Sequence, residues 1–160
     1  MSAQPDRLVH ARPMAVRHLD AVLAIEHLAY PVPWTRGNFI DSIAAGYDAW
    51  LHLDSQGTLL GYCVAMEGVD EMHLLNLTVA PPHQGQGHAR AMLDHLVGLC
   101  RQRGARELWL EVRESNTRAR VLYARYGFVP IRVRKGYYPL PPGWPGREDA
   151  AVMSLTLEGV

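Results

Sequence analysis

The spacing of apolar residues predicts two helices in the first third of the chain. Between Arg17 and Ala29, apolar side chains recur every three or four residues, which is the period of an α-helix, and Glu26 is a polar interruption in that stripe. Thr35 follows the sequence YPVPW and is a typical N-cap for a short second helix, which Gly46 ends. The chain therefore opens with helical rather than strand-like patterning over most of this region.

Alternation of apolar and polar positions predicts the strands. A third helix is predicted from the apolar stripe that runs from Ala89 to Cys100, and Asn116 and Gly127 are suited to begin and end a fourth. The predicted strands are residues 7–13, 49–53, 58–67, 73–79, 107–113, 128–134 and 150–157.

The order of these elements predicts a single α/β domain over residues 1–160. The strand, helix and strand in the middle form a crossover connection, so we expect a parallel central strand pair in a mixed, mostly antiparallel sheet with flanking helices. Residues 1–14 are expected to be partly disordered. The proline- and glycine-rich segment 136–149 is expected to be a long functional loop.

Composition and charge exclude several classes of protein. Sixteen basic and sixteen acidic residues cancel, so the chain lacks the basic footprint of a nucleic-acid-binding protein. No apolar run is long enough for a membrane span, and the first residues do not resemble a secretory signal. Cys63 and Cys100 belong to no metal or redox motif and are expected to be buried free thiols. These features predict a cytoplasmic protein with no direct nucleic-acid or membrane partner.

The sequence QGQGHA, residues 84–89, predicts a turn that can approach a phosphate group. Gly85 and Gly87 permit a tight turn, and the free amides at the start of the following helix favour an anion. Arg90 occupies the place of the last glycine of a dinucleotide fingerprint, and no GK[ST] follows, so both common nucleotide motifs are excluded. Taken alone, the stretch could equally be a plain strand-to-helix turn.

The pattern Gln84-x-x-Gly87-x-Ala89 resembles the pyrophosphate-binding motif of the GNAT superfamily of N-acetyltransferases. Motifs elsewhere resemble the RimI type, the bacterial ribosomal-protein-alanine N-acetyltransferases. His88-Ala89 differs from the apolar residue and glycine of many members, and LPPGWP is longer than usual. The matching motifs are PW at 33–34, LEVR at 110–113, SN at 115–116, LY at 122–123, GF at 127–128, YYP at 137–139 and GREDAAVM at 146–153.

This resemblance implies a mechanism with acetyl-CoA as co-substrate, no metal, and the N-terminal peptide of a ribosomal protein, beginning Ala-Arg, as acceptor. Glu111 would be the proton acceptor and Tyr123 the proton donor to the leaving thiolate. Glu111 alternates out of phase with its apolar neighbours, and tyrosine keeps its proton at neutral pH. A solvated glutamate and a core tyrosine are the alternatives.

The resemblance also implies binding residues. Those for acetyl-CoA are Leu77, Thr78, Val79, Gln84, Gly85, Gln86, Gly87, His88, Ala89, Arg90 and Asn116. Those suggested for the peptide are Trp34, Glu67, Asp70, Glu71, Tyr137 and Tyr138, each of which could instead be a packing or solvated residue.

Three alternative functions remain open at this point. The chain could be a GNAT enzyme that acetylates other N-termini, lysine side chains or a small amine. It could be an acyl-CoA-binding domain without turnover, although such a domain needs neither Glu111 nor Tyr123. A metal site is the weakest alternative, because His83, His88 and His95 have no accompanying cysteine or carboxylate set.

Overall fold

The computed structural model of the protein describes residues 10–157. Over that range the helices are α1 (Leu19–Ala29), α2 (Arg36–Ala44), α3 (His88–Gln102) and α4 (Thr117–Tyr126). The strands are β1 (His10–Pro13), β2 (Asp48–Leu53), β3 (Leu59–Gly68), β4 (Glu71–Val79), β5 (Glu107–Arg113), β6 (Val129–Pro139) and β7 (Arg147–Thr156).

The strands form a seven-stranded mixed sheet in the order β1-β2-β3-β4-β5-β7-β6. Its parallel pair is β4 and β5, with Glu71–Leu74 opposite Glu107–Leu110. The connection between them is α3, which is the crossover that a parallel pair requires. The predicted fold class is therefore confirmed.

The chain divides into two compact units. In the described part, the first comprises residues 10–66 and 76–96 and the second residues 67–75 and 97–157. The first unit buries apolar side chains of α1, α2 and β3, including Leu19, Phe39 and Tyr62. The second buries those of β5, α4 and β7. Whether they act as the single predicted domain stays a prediction.

Both predicted caps form. The Thr35 hydroxyl accepts a 3.1 Å hydrogen bond from the amide of Asn38, and the amide of Thr35 donates to the Asn38 side chain at 2.9 Å. The Asn116 side chain accepts from the amide of Ala119 at 3.1 Å. These bonds satisfy amides that have no partner within the first helical turn, which is why the helices begin where the sequence predicts.

The strand predicted over residues 7–13 is confirmed at His10–Pro13, where β1 pairs with β2, and Met14 is buried; residues 1–9, the rest of the segment expected to be partly disordered, lie outside the described residues. Two other expectations need correction. Glu26 is buried rather than a polar break, being 1% exposed. The long loop expected over 136–149 shrinks to residues 140–146, because β6 and β7 extend into it.

The extension of β6 was hidden by its exposure. All but one of its eleven residues are exposed, and no apolar alternation marks the strand beyond Val133. A register irregularity between Arg134 and Tyr138 also interrupts its pairing with β7 around Gly136. Backbone pairing, rather than side-chain burial, thus defines this edge of the second unit.

Cys63 and Cys100 are both buried, as expected, and neither forms a disulfide. Burial raises the pKa of the Cys63 thiol to about 12, so it remains protonated. Within residues 10–157, none of the helices has the length and apolar character needed to cross a membrane.

Candidate active site

The turn between β4 and α3 requires glycine for its backbone angles. Gly85 and Gly87 have φ of 77° and 86°, values that side chains with a Cβ rarely adopt. A Cβ at either position would meet no described atom within 4 Å, so crowding is not the reason. Gln84 braces the turn by donating from Nε2 to the carbonyl of Val79 at 3.2 Å. The result is open backbone in front of a helix N-terminus, which favours an anion.

The side chains around this turn differ in their exposure. Gln86 and Arg90 are exposed, whereas Ala89 is half-buried. His88 is buried and its ring lies 6.4 Å from that of His83, edge to face. A side-chain role for His88 in binding a large polyanion therefore has little support, although its amide belongs to the first helical turn.

The end of β4 is held by Tyr30 of the first unit. The Tyr30 hydroxyl lies 2.8 Å from Thr78 Oγ1 and donates to the carbonyl of Leu77 at 3.3 Å. Thr78 in turn donates to Asn76 Oδ1 at 2.7 Å. Burial raises the pKa of Tyr30 to about 12, so its hydroxyl remains neutral and available as a donor.

A buried carboxylate organises the same region, and the sequence did not reveal it. Glu26 Oε1 accepts hydrogen bonds from the Tyr62 hydroxyl at 2.6 Å and from Asn76 Nδ2 at 3.3 Å. Glu26 Oε2 accepts from the backbone amide of Trp34 at 2.9 Å. This network ties α1 to β3, to β4 and to the segment before α2. The only sequence signal was a glutamate on an otherwise apolar helical stripe.

In the second unit, β5 has an apolar face and a polar face. Leu108, Leu110 and Val112 are buried, and the alternate residues are half-buried. The polar face carries four partnered side chains: Glu107 with Ser154, Trp109 with Glu71, Glu111 with His73 and Arg134, and Arg113 with Glu148. The alternation predicted for Glu111 is thereby observed, and a solvated glutamate is excluded.

Both carboxylate oxygens of Glu111 have a hydrogen-bonding partner. Oε1 lies 2.6 Å from His73 Nε2, and Oε2 accepts from Arg134 Nη1 at 2.6 Å. The Glu111 side chain is only 5% exposed. Burial acts to raise the pKa of Glu111, but the hydrogen bonds and charges of His73 and Arg134 outweigh it and lower the pKa overall. Glu111 is therefore a fixed, ionised carboxylate at neutral pH.

His73 has a defined position beside this carboxylate. It lies opposite Trp109 in the parallel pairing of β4 and β5, and the two rings stack with centroids 3.7 Å apart and planes 9° from parallel. Trp109 Nε1 donates to Glu71 Oε2 at 2.5 Å. Sequence reasoning missed His73. In the sequence, His73 is a histidine within the predicted strand 73–79. Its place beside Glu111 follows from the pairing of β4 with β5, in which His73 lies opposite Trp109, two residues before Glu111.

Tyr123 lies on α4 and is 7% exposed. Its ring packs edge to face against Phe128 with centroids 5.4 Å apart, and Tyr126 also contacts Phe128 at 6.1 Å. Tyr126 is only half-buried, so Tyr123 is the more deeply buried of the two tyrosines on α4.

Two tyrosines of β6 adjoin the charged residues of β5. Their rings are 4.9 Å apart, with the guanidinium of Arg134 over Tyr137 and that of Arg113 over Tyr138. The pKa of both tyrosines is raised, chiefly by burial and then by the charge of Glu111. Both predicted tyrosines therefore lie in the electrostatic field of Glu111.

The remaining residues suggested for the peptide have local partners. Glu67 pairs with Arg103 at 3.2 Å, and Glu71 accepts from Trp109. Asp70 has a φ of 58°, and its carbonyl accepts a 2.7 Å hydrogen bond from the amide of Arg106.

The predicted site residues divide between the two units. The first contains Trp34, whose ring packs 5.1 Å from Phe39, and all the residues from Leu77 to Arg90. The second contains the other predicted residues, namely Glu67, Asp70, Glu71, Glu111, Asn116, Tyr123, Tyr137 and Tyr138. Among residues 10–157, no group of three metal-ligating side chains is suitably arranged to hold an ion.

Residues 19–128 match the sequence model of the Acetyltransferase (GNAT) family. This chain belongs to the GNAT family of acetyltransferases, and it is therefore an enzyme of the N-acetyltransferase class. The match includes the glycine turn, the polar face of β5 and α4.

Two curated relatives bear the name [ribosomal protein bS18]-alanine N-acetyltransferase. The one from Haemophilus ducreyi is 41% identical over 138 residues, covering 86% of this chain and 93% of its own. The one from Escherichia coli is 37% identical over 139 residues, covering 87% of this chain and 91% of its own.

Solved structures share the fold. The crystal structure of the ribosomal-protein-S18-alanine N-acetyltransferase from Escherichia coli has a TM-score of 0.83 and 33% identity, with 96% of each chain covered. Arabidopsis thaliana NAA60 in complex with a bisubstrate analogue has a TM-score of 0.81 at 20% identity, with 96% of this chain and 100% of that chain covered, and it supports the fold alone.

Proposed function

We propose that this protein transfers the acetyl group of acetyl-CoA to the α-amine of the N-terminal alanine of ribosomal protein bS18. The observation that carries the proposal is the near-full-length similarity to relatives named for that reaction. Their similarity spans the glycine turn and the Glu111 region alike, so it supports both the donor and the acceptor half of the reaction.

Glu111 is proposed as the carboxylate on which proton removal depends. A free α-amine has a pKa of about 7.7–8.0 and is mostly protonated at neutral pH, so it must lose a proton before it can attack. A correctly held base contributes roughly 10²–10⁴ in rate. The contacts of His73 and Arg134 with Glu111 support this role, because they keep the carboxylate ionised and hold it in one position.

Tyr123 is proposed as the donor to the leaving thiolate. The amine nitrogen attacks the thioester carbonyl carbon, the C–N bond forms and the C–S bond breaks. The thiolate takes a proton, and the nitrogen loses its second proton as the amide forms. A tyrosine, with an ordinary pKa near 10, keeps its proton at pH 7 while a free thiol has a pKa near 8.5. Tyr123 can therefore supply that proton and later regain one.

The glycine turn is proposed to bind the pyrophosphate of acetyl-CoA. The exposed backbone of Gly85, Gln86 and Gly87, in front of α3, supports this assignment because open amides and the helix dipole favour an anion. Arg90 and Gln84 flank the turn. Backbone groups of Leu77, Thr78 and Val79 are proposed to bind the pantetheine arm. The side chain of Asn116 is proposed to donate or accept a hydrogen bond with CoA.

The acceptor peptide is proposed to meet Trp34, Tyr137 and Tyr138. The acidic turn of Glu67, Asp70 and Glu71 is proposed to favour a basic second residue. Glu67 and Glu71 already have partners, so Asp70 is the member of this turn on which we expect the preference to depend most.

Thiol release from acetyl-CoA tests the proposal. The substrates are a peptide beginning Ala-Arg, the same peptide with a blocked N-terminus but an added lysine, and a peptide beginning Ala-Glu. Turnover restricted to free N-termini, and faster with Ala-Arg than with Ala-Glu, is expected. Turnover on the blocked lysine peptide alone, or on none, would overturn the assignment to an N-terminal alanine.

A further inference from the structure

His73 is the member of the Glu111 cluster to which the proposed mechanism gives no chemistry. We propose that Glu111 does not accept the proton alone, and that His73 and Glu111 act as one proton-accepting pair in which the imidazole holds the proton and the carboxylate balances its charge. This inference rests on the proposed function and assigns a second residue to the removal of the amine proton.

The geometry of the pair directs one nitrogen of the imidazole at the carboxylate and leaves the other nitrogen as the basic atom of the ring. The 2.6 Å separation of His73 Nε2 and Glu111 Oε1 requires a proton between two atoms that are both acceptors when unprotonated. That proton makes Nε2 the donor. Glu111 Oε2 accepts a hydrogen bond from Arg134 Nη1 at 2.6 Å. The lone pair of the neutral ring is then at Nδ1, and we assign the incoming proton to this atom.

The carboxylate by itself is poorly matched to the reaction. His73 and Arg134 lower the pKa of Glu111 against the opposing effect of burial, and a base far more acidic than the amine extracts its proton inefficiently. Imidazole is the side chain that changes charge between pH 5 and 8. A carboxylate that orients an imidazole and stabilises the imidazolium is an arrangement used by hydrolases with a serine, histidine and aspartate.

The packing of His73 suits this role. Its side chain is 9% exposed, and the stacked Trp109 ring holds its plane at 3.7 Å. Trp109 is itself fixed by the hydrogen bond from Nε1 to Glu71. An imidazolium formed here would lie between an indole face and a carboxylate, and both surroundings favour a cation.

Other charged and titratable groups lie on the strands around the pair. On β4 and β5 these are Glu71 and Arg113. On β6 they are Arg134, Tyr137 and Tyr138, and on β7 Glu148, which pairs with Arg113 at 3.1 Å.

The proton balance of the step is simple. The substrate ammonium loses one proton to Nδ1 of His73, directly or through one water, and becomes the neutral nucleophile. The pair changes from carboxylate and imidazole to carboxylate and imidazolium. After transfer of the acetyl group, the imidazolium returns its proton to solvent and the pair is ready for another turnover.

A histidine-to-glutamine substitution separates this role from simple orientation. In His73→Gln, the side-chain amide can still donate to Glu111 Oε1, but it has no basic nitrogen. We expect kcat to fall roughly tenfold or more, with the KM for acetyl-CoA unchanged. In a plot of kcat against pH, the fall in kcat on the acidic side is expected to move to lower pH, because Glu111 then titrates without His73. The matched control is His27→Gln, which removes an exposed histidine of α1.

A fluorescence titration tests the coupling without any substrate. An imidazolium stacked on an indole quenches its emission, so the signal lost in Trp109→Phe reports on the charge of His73. We expect that signal to fall on acidification, and to fall at lower pH in Glu111→Gln, because the carboxylate favours the imidazolium.

The kinetic measurement and the fluorescence titration can each contradict the proposal without the other. A His73→Gln enzyme with normal kcat and an unchanged pH profile would reduce His73 to a packing residue. A Trp109 signal with the same midpoint in the parent and in Glu111→Gln would show that the two residues do not share a proton. If the parent protein acetylated no peptide, the proposed function would fail while the titration still decided the pair.

Discussion

The hydroxyl of Tyr62 donates a 2.6 Å hydrogen bond to Oε1 of Glu26 although both side chains are almost fully buried. A carboxylate in such surroundings is tolerated only when donors surround it, and Asn76 and the Trp34 amide supply the others. The network thereby joins the core of the first unit to the segment proposed to meet the peptide.

Removing one donor should weaken the first unit measurably. We expect Tyr62→Phe to lower the free energy of unfolding by roughly 1–3 kcal/mol, since it leaves a buried acceptor on Glu26 without this donor while the aromatic ring stays packed in place. Urea unfolding followed by circular dichroism provides the measurement. Tyr47→Phe is the control, and an equal loss in both variants would show that the bond to Glu26 contributes nothing.

The buried His52 should make the free energy of unfolding depend on pH. Burial first, and then the neighbouring His95, lower the pKa of His52 to about 4 in the folded state. His52 therefore takes up its proton more readily in the unfolded chain, whose pKa is near 6.5. Its stabilising contribution is complete above pH 6.5 and is lost as pH falls to about 4, by about 3 kcal/mol.

His52→Gln should flatten part of this dependence, as measured by urea unfolding at several pH values between 4 and 7. The remaining slope includes His95, whose pKa burial also lowers. His27→Gln, at an exposed position, is the control. A slope that is identical in His52→Gln and in the parent would contradict the assignment.

The glycine turn offers a matched pair of alanine substitutions. Gly87→Ala forces a Cβ onto a φ of 86°, so we expect a loss of about 1 kcal/mol in stability and a higher KM for acetyl-CoA. Gly98→Ala, in the middle of α3 and with no described atom within 4 Å of the new Cβ, should stabilise the protein by roughly 0.5–1 kcal/mol. An unchanged KM in Gly87→Ala would argue against pyrophosphate at this turn.

Tyr123 and Tyr126 test the proposed proton donor. Tyr123→Phe keeps the ring packed on Phe128 and removes only the hydroxyl. We expect kcat to fall about 10- to 100-fold with unchanged acetyl-CoA binding, because the thiolate would then leave unprotonated. Tyr126→Phe, on the same helix, should retain nearly full activity in the same thiol-release assay. Equal effects of the two substitutions would remove Tyr123 from the mechanism.

Sequence patterning predicted the order of the elements because most of them carry a periodic apolar stripe. It missed the extension of β6 from residue 134 to Pro139, which is exposed and interrupted at Gly136, and it missed the burial of Glu26, whose donors come from β3, β4 and the segment before α2. Both depend on pairings between residues distant in the chain, which periodicity does not encode.

The candidate site, like the fold, was predicted only in part from the sequence. The alternation of β5 gave the direction of Glu111, and the glycines gave the turn. The partners of Glu111 could not be predicted, since His73 reaches it only through the register of a parallel strand pair and Arg134 through β6. Registers of this kind are set by tertiary packing.

The most direct test of the proposed role of Glu111 in proton removal is Glu111→Gln, which keeps the size of the side chain and removes its charge. Turnover and acetyl-CoA binding are measured on the same preparation, by thiol release with the Ala-Arg peptide and by calorimetry. We expect a loss of roughly 10²–10⁴ in kcat with acetyl-CoA affinity unchanged. A variant that retains the kcat of the parent would contradict it, because proton removal could not then depend on Glu111.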